Sequence, residues 1–158
     1  MRITAIVAFV AISMCLVSGC RKPPRPYGNF AKTESADLVQ DAVNALRAAY
    51  PPVKSRFALL RPVEDGFGFS LIEAIRGNGY AVAEYSPPGK GGKAPAISDA
   101  PGGLGFGYTL DALREGGGLR VTLYVGDETL SRLYAIRGEK EDTRYIPAGS
   151  WVRREGAT

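Results

Sequence analysis

Residues 119–137 read LRVTLYVGDETLSRLYAIR. Leu119, Val121, Leu123 and Val125 alternate with Arg120, Thr122 and Tyr124. A period of two places the first set on one side of a β-strand and the second set on the other. No other stretch of the chain has so clean a half-buried strand pattern. Gly126-Asp127 turns it, and Thr129–Arg137 forms the next strand. Upstream, Phe106, Tyr108 and Leu110 alternate in the same way, and Gly116-Gly117-Gly118 permits a tight reversal before Leu119. Downstream, the charged stretch 138–144 reads as a turn and Tyr145–Glu155 as a last extension. Pro147 confines that extension to an edge or an irregular path, because proline has no backbone donor.

Towards the N-terminus the pattern changes. Phe57 and Leu59 alternate against Arg56 and Ala58, so Lys54–Arg61 is predicted as a strand. Asp65 can cap a helix over Gly66–Arg76 that carries Phe67, Leu71 and Ile75 on one side. Gly77-Asn78-Gly79 is a helix stop, and Tyr80–Tyr85 (YAVAEY) is a second strand. Strand, helix and strand make a βαβ unit with parallel strands and a right-handed crossover. An earlier helix is predicted from Ser35 as N-cap, with Asp37 in its first turn. Val39, Ala42, Val43, Leu46, Ala49 and Tyr50 form its apolar stripe, Asp41, Asn44 and Arg47 lie away from it, and Pro51-Pro52 ends it.

Helix, strand, helix, strand and an antiparallel meander give an α+β two-layer sandwich: a mixed sheet of about five strands with two helices on one face. The pattern is similar to the small periplasmic domains of TolB and of the lipoproteins that activate penicillin-binding proteins, a likeness that assigns no function. Residues 86–107 hold 7 glycines and 4 prolines. The segment 86–105 is expected to be a flexible loop outside the core. GGLGFG at 102–107 is not a dinucleotide loop, since it leads into a strand pattern and not a helix.

Composition narrows the chemistry. Histidine is absent and the 2 cysteines are Cys15 and Cys20. A metal cluster, a disulfide scaffold and a Cys–His nucleophile are thereby excluded, and no metal site is expected. There is no G-x-S-x-G elbow and no S-x-x-K, and Ser70, Ser131 and Ser150 lie in ordinary structural segments. Glu64-Asp65 reads as helix capping, and Glu141-Asp142 as solvated surface. No catalytic residue is nominated, and neither an enzyme activity, a cofactor nor a small-molecule substrate is expected. A net charge of +4 is too small and dispersed to point to nucleic acid. The polar strand face with Tyr124 and Arg120, and the terminal Trp151 with Arg153, are candidate partner surfaces, because tyrosine, tryptophan and arginine are enriched at interfaces.

The N-terminus carries a different signal. After Arg2, residues 3–17 are apolar except for Thr4 and Ser13, too short for a bilayer span and right for a signal-peptide core. Val17-Ser18-Gly19-Cys20 then resembles a bacterial lipobox, with valine where leucine is commoner. That resemblance implies cleavage before Cys20, a diacylglyceryl thioether on its sulfur, and acylation of the new amine. Residues 1–19 are then a leader, 20–34 a lipidated cysteine with a Pro-rich tether, and 35–155 a periplasmic domain. Removing the leader leaves 139 residues at +3. Several acyl chains on one residue hold a membrane far better than one myristoyl chain. Arg21 follows the cysteine where inner-membrane retention would want Asp. The sorting rules of similar lipoproteins imply the periplasmic face of the outer membrane.

One family resemblance covers the mature chain over about residues 36–155. It rests on the order and spacing of Tyr50-Pro51-Pro52, Phe67-Gly68, Gly79-Tyr80-Ala81-Val82, Leu130-Ser131-Arg132 and Pro147-Ala148-Gly149-Ser150-Trp151-Val152. With the lipobox, these resemble the TrbH lipoproteins encoded among mating-pair-formation genes of conjugative plasmids. The resemblance implies a non-catalytic accessory of a type IV secretion apparatus, with other mating-pair proteins as partners and Cys20 as the one chemical site. A second reading is an envelope lipoprotein that binds and regulates a peptidoglycan-synthesising enzyme, for which the same tether and domain would serve.

Overall fold

The computed structural model describes residues 36–87, 102–113, 117–138 and 143–156. The leader, Cys20, the tether, Ser35 and the stretch 88–101 lie outside these residues.

Helix α1 runs Ala36–Ala49 and buries Leu38, Val39, Ala42, Val43 and Leu46. Its stripe therefore begins one residue earlier than expected. Pro51 stops it, and a short 3-10 turn at Pro52–Lys54 leads into β1 (Arg56–Leu59). Helix α2 (Gly66–Gly77) starts where expected: the Asp65 carboxylate accepts the Gly68 N–H at 2.9 Å. Its last turn is closed by Asn78, whose side chain donates to the Ala74 carbonyl, and Gly79 leaves the helix at φ 85°. Strand β2 is only Ala81–Ala83 and pairs parallel with β1, as the βαβ reading requires.

Strand β3 (Leu104–Ala112) also pairs parallel with β1, with Phe57 opposite Leu104 and Leu59 opposite Phe106. It begins at Leu104, so the last two residues of the expected 86–105 loop, Leu104 and Gly105, belong to the sheet. Gly103 makes this entry possible. A Cβ there would stand 2.3 Å from the Arg56 carbonyl oxygen, and its φ is 149°. β4 (Gly118–Val125) and β5 (Glu128–Arg137) complete an antiparallel meander, with Gly126 at φ 54° in the turn between them. The sheet order is β2-β1-β3-β4-β5, followed by two short strands that share the outer edge of β5. These are β6 (Arg144–Pro147) on Tyr134–Arg137 and β7 (Val152–Glu155) on Glu128–Ser131.

Among the described residues the sheet thus has seven strands, against about five expected. The expected final extension is split because Tyr134 faces Pro147 while Ser131 faces Val152. Arg132 and Leu133 on β5 are opposed by Ala148, Gly149, Ser150 and Trp151, a bulge with two extra residues. Bulges bend the strand and re-aim side chains, and this one carries Trp151 onto the core.

Both helices cover one sheet face. Leu38, Val43, Leu46, Phe67, Leu71 and Ile75 pack with Phe57, Phe106, Leu119, Val121 and Leu123, all within 1 % of complete burial. Phe57 organises the centre, with ring centroids 5.0 Å from Tyr80 and 5.2 Å from Phe106. Among the described residues no helix lies on the opposite sheet face. Among the described residues no helix is long and apolar enough to cross a membrane.

Candidate functional site

The two faces of the sheet treat their polar groups differently. On the helix face they are matched to one another. Asp41, expected away from the α1 stripe, stands three residues after Leu38 and flanks that stripe. Its carboxylate accepts two bonds from Arg132 Nη1 at 2.8 and 2.9 Å and one from Trp151 Nε1 at 3.1 Å. It also accepts the Tyr134 hydroxyl. Arg132 donates in turn from Nε to the Gly149 carbonyl at 2.8 Å, which fixes the bulge. Burial of the Tyr134 ring pushes its hydroxyl above the usual phenol range, and the bond to Asp41 acts in the same direction.

A second cluster sits near the other end of α1. Arg153 holds Glu128 through Nε at 2.9 Å and Nη2 at 2.6 Å, and its guanidinium carbon lies 5.6 Å from the Tyr50 ring centroid. The Tyr50 hydroxyl donates to Glu128, and the Tyr80 hydroxyl donates to the Tyr50 carbonyl at 2.7 Å. The Arg153 bonds, then the Tyr50 bond, hold the Glu128 carboxyl below the usual range. Burial raises the Tyr50 and Tyr80 hydroxyls. Together the clusters tie α1 to β5 and to the C-terminal strand. Among the described residues no buried side-chain polar atom lacks a hydrogen-bond partner.

The open face is different. The registers place Gly107, Tyr124, Thr129 and Arg154 in one row across β3, β4, β5 and β7. The next row is Thr109, Thr122, Ser131 and Val152. Arg120 stands opposite Asp111 on one side and Leu133 on the other. The Tyr124 ring lies over Gly107, where a Cβ would come within 3.9 Å of it. The bulge at Ala148–Ser150 raises one rim, and the result is a groove of about 580 Å³. Its lining includes Arg120, Tyr124, Leu133, Val152 and Arg154, with the hydroxyls of Thr122, Thr129 and Ser131 between them.

The four candidate partner-surface residues are therefore divided. Arg120 and Tyr124 share the open face. Trp151 and Arg153 lie on the helix side and are held by Asp41 and Glu128. Sequence reading did not find Asp41 or Glu128. The usable signal for Asp41 was its helical spacing of three from Leu38, which puts an acid beside a buried stripe. Cys20 and its flank Val17, Ser18 and Gly19 lie outside the described residues. Asp65 acts as helix cap and as acceptor for the Tyr108 hydroxyl, so both its oxygens have structural roles. Among the described residues no group of three His, Cys, Asp or Glu side chains is placed to hold a metal ion.

Neither the curated proteins nor the solved structures contained a match to this chain. A family model described as conjugal transfer protein TrbH matches residues 24–155. This span includes both polar clusters, the bulge and the open face, and it covers well over half of the sequence. The chain belongs to the TrbH family of conjugal transfer proteins.

Proposed function

We propose that this conjugal transfer protein is a lipid-anchored, non-catalytic accessory of the mating-pair channel, held at the periplasmic face of the outer membrane. The observation that carries the reading is the family match over residues 24–155, which begins four residues after a lipobox cysteine. Acylation of Cys20 would supply the anchor. The chain from Cys20 to Ala36 can reach at most about 58 Å. The folded domain would then work close to the membrane by positioning or stabilising other transfer proteins, without touching DNA and without turnover. The open sheet face supports such a role because it leaves polar and apolar groups available to a neighbour.

The test is isolation of tagged protein from envelopes of plasmid-bearing cells in mild detergent, beside a Cys20→Ser version. Mass spectrometry of the N-terminal peptide reads the acylation, and the co-purifying proteins read the role. Acylated Cys20, outer-membrane fractionation and recovery of transfer-channel proteins, weakened by Cys20→Ser, are the expected results. Recovery of a cell-wall synthase without channel proteins would refute the reading in favour of a peptidoglycan regulator.

A further inference from the structure

We infer that the open face of the sheet is a docking groove for an extended, carboxylate-bearing segment of a partner protein, gripped at its two ends by Arg120 and Arg154. The inference rests on the transfer role proposed above and specifies the chemistry of the contact.

Arg120 and Arg154 are both exposed on this face and form no ion pair among the described residues. Arg132 and Arg153 on the helix face, by contrast, are matched to acids of this chain, Asp41 and Glu128. Among the described residues no carboxylate lines the groove. Asp111 neighbours Arg120 across the strand, but it takes a long 3.4 Å bond from Thr109 and lies outside the lining. Among the described residues the charge on the groove is therefore positive with no acid set against it, and its complement is an anion. Arginine also suits carboxylates in particular, because its fork of N–H donors matches two oxygens at once.

Spacing sets the form of the ligand. Arg120 and Tyr124 are four residues apart on β4, and Arg154 is two strands from Tyr124 in the same row. With about 3.4 Å per residue and 4.8 Å between strands, the two arginine Cα atoms are roughly 17 Å apart. A single free carboxylate does not span that distance, whereas an extended segment with acids four to five residues apart does, at about 3.4 Å per residue. Ser131 lies midway between the two arginines, and Leu133 (38 % exposed) and Val152 (47 % exposed) flank that line on one side, where they would take an apolar side chain of the same segment. A second copy of this chain docking face to face would set arginine against arginine. A planar layer of lipid headgroups does not enter a concave face. A peptide segment with an acid at each end and an apolar side chain turned toward Leu133 and Val152 satisfies the charge, the concavity and the apolar flank together.

Photo-crosslinking in cells tests this. Full-length lipoprotein carrying benzoyl-phenylalanine at Leu133 is irradiated in plasmid-bearing cells, with the same group at Val53, outside the groove lining and 98 % exposed, as control. The adduct at Leu133 is expected to join a partner peptide with at least two acidic residues. It should fall at least about tenfold when Arg120→Glu and Arg154→Glu are combined, since truncating or reversing a paired charge costs several kcal/mol. Lysine at both positions should retain more adduct than the reversal does. An adduct to lipid, to a second copy or to a segment without acids would overturn the inference, as would no adduct or one indifferent to charge reversal. Co-purification separates the two levels. Transfer proteins recovered equally with wild type and the charge-reversed protein would leave the transfer role standing and remove the groove. No transfer proteins with wild type would remove the role itself.

Discussion

Replacing Asp41 with alanine should destabilise the domain by about 3 kcal/mol. The carboxylate receives Arg132, Tyr134 and Trp151, which come from β5 and the bulge. The Arg132 pair is part-exposed, at 19 % and 26 % for the two side chains, so solvent screening limits it to about 1 kcal/mol. The Tyr134 ring is only 1 % exposed, and its hydroxyl left without an acceptor would cost about 1–2 kcal/mol. The Trp151 bond adds about 0.5 kcal/mol, the low end for an intramolecular hydrogen bond. A loss of 3 kcal/mol lowers the melting temperature by roughly 10 °C in a domain of this size. Asp41→Asn keeps one acceptor oxygen and should lose about half as much. Urea unfolding followed by circular dichroism gives the free energy. Trp151 is the only tryptophan in the sequence, so its fluorescence reports the cluster itself, and its emission should shift in the folded Asp41→Ala protein. A loss below about 1 kcal/mol, the range of an exposed ion pair, with unchanged Trp151 emission would refute the idea that Asp41 clamps the C-terminal strand.

The raised hydroxyls of Tyr134, Tyr50 and Tyr80 predict alkaline sensitivity. Above about pH 10 the unfolded chain releases these protons while the folded chain keeps them, so stability is full below that pH and falls above it. Melting temperatures from pH 8 to 11 should decline, with a shallower slope for Tyr134→Phe; a flat profile would contradict the assignment. The lowered Glu128 carboxyl acts at the acid end. Its contribution is present above the ordinary carboxylate range and disappears as pH falls through its folded value, and Arg153→Ala should reduce that acid dependence. Two alanine substitutions in α2 should differ in sign. Gly68→Ala puts a methyl group 1.8 Å from the buried Tyr108 oxygen and should cost about 1–3 kcal/mol or more. Gly77→Ala meets nothing within 4 Å and should be neutral or stabilise by up to about 1 kcal/mol; thermal melts of both decide it. Arg120→Glu combined with Arg154→Glu should leave stability within about 0.5 kcal/mol of wild type, which the same melts check.

The legible parts of the fold were those written in periodicity and local turn chemistry. The alternation at 119–125, the Asp65 cap and the Gly77-Asn78-Gly79 stop all predict what β4 and α2 do. The parallel β1–β2 pair followed from a helix between two short strands. The alternation of Phe106, Tyr108 and Leu110 showed the body of β3, but its start at Leu104 was hidden by glycine, because turn-forming composition outweighed an alternation with Gly105 and Gly107 as the small members. The split of the last strand was hidden for another reason. A bulge is set by what the extra residues bond to, here Gly149 to Arg132 and Trp151 to Asp41, and such long-range pairings leave no period in the sequence. The candidate site followed the same rule. Arg120 and Tyr124 were found by alternation, whereas the engagement of Trp151 and Arg153 depends on acids 110 and 25 residues away.

These long-range pairings also explain how the family resemblance can rest on short and individually ordinary stretches. Tyr50 carries Glu128 and Tyr80, Gly68 leaves room for Tyr108, Arg132 holds both Asp41 and Gly149, and Trp151 closes the same cluster. Each stretch marks a point where one element is locked onto another, so their common order and spacing amount to a description of the tertiary fold. Of those locks only Arg132 with Gly149 borders the open face, and Arg120 and Arg154 belong to none of them. These two arginines can change sign without disturbing a helix–sheet contact, because the groups that hold the helices are on the other side of the same strands. Alternation along β4 and β5 thus separates two demands on one sheet. The inward residues keep α1 and the C-terminal strand in place, and the outward residues are left to meet a partner.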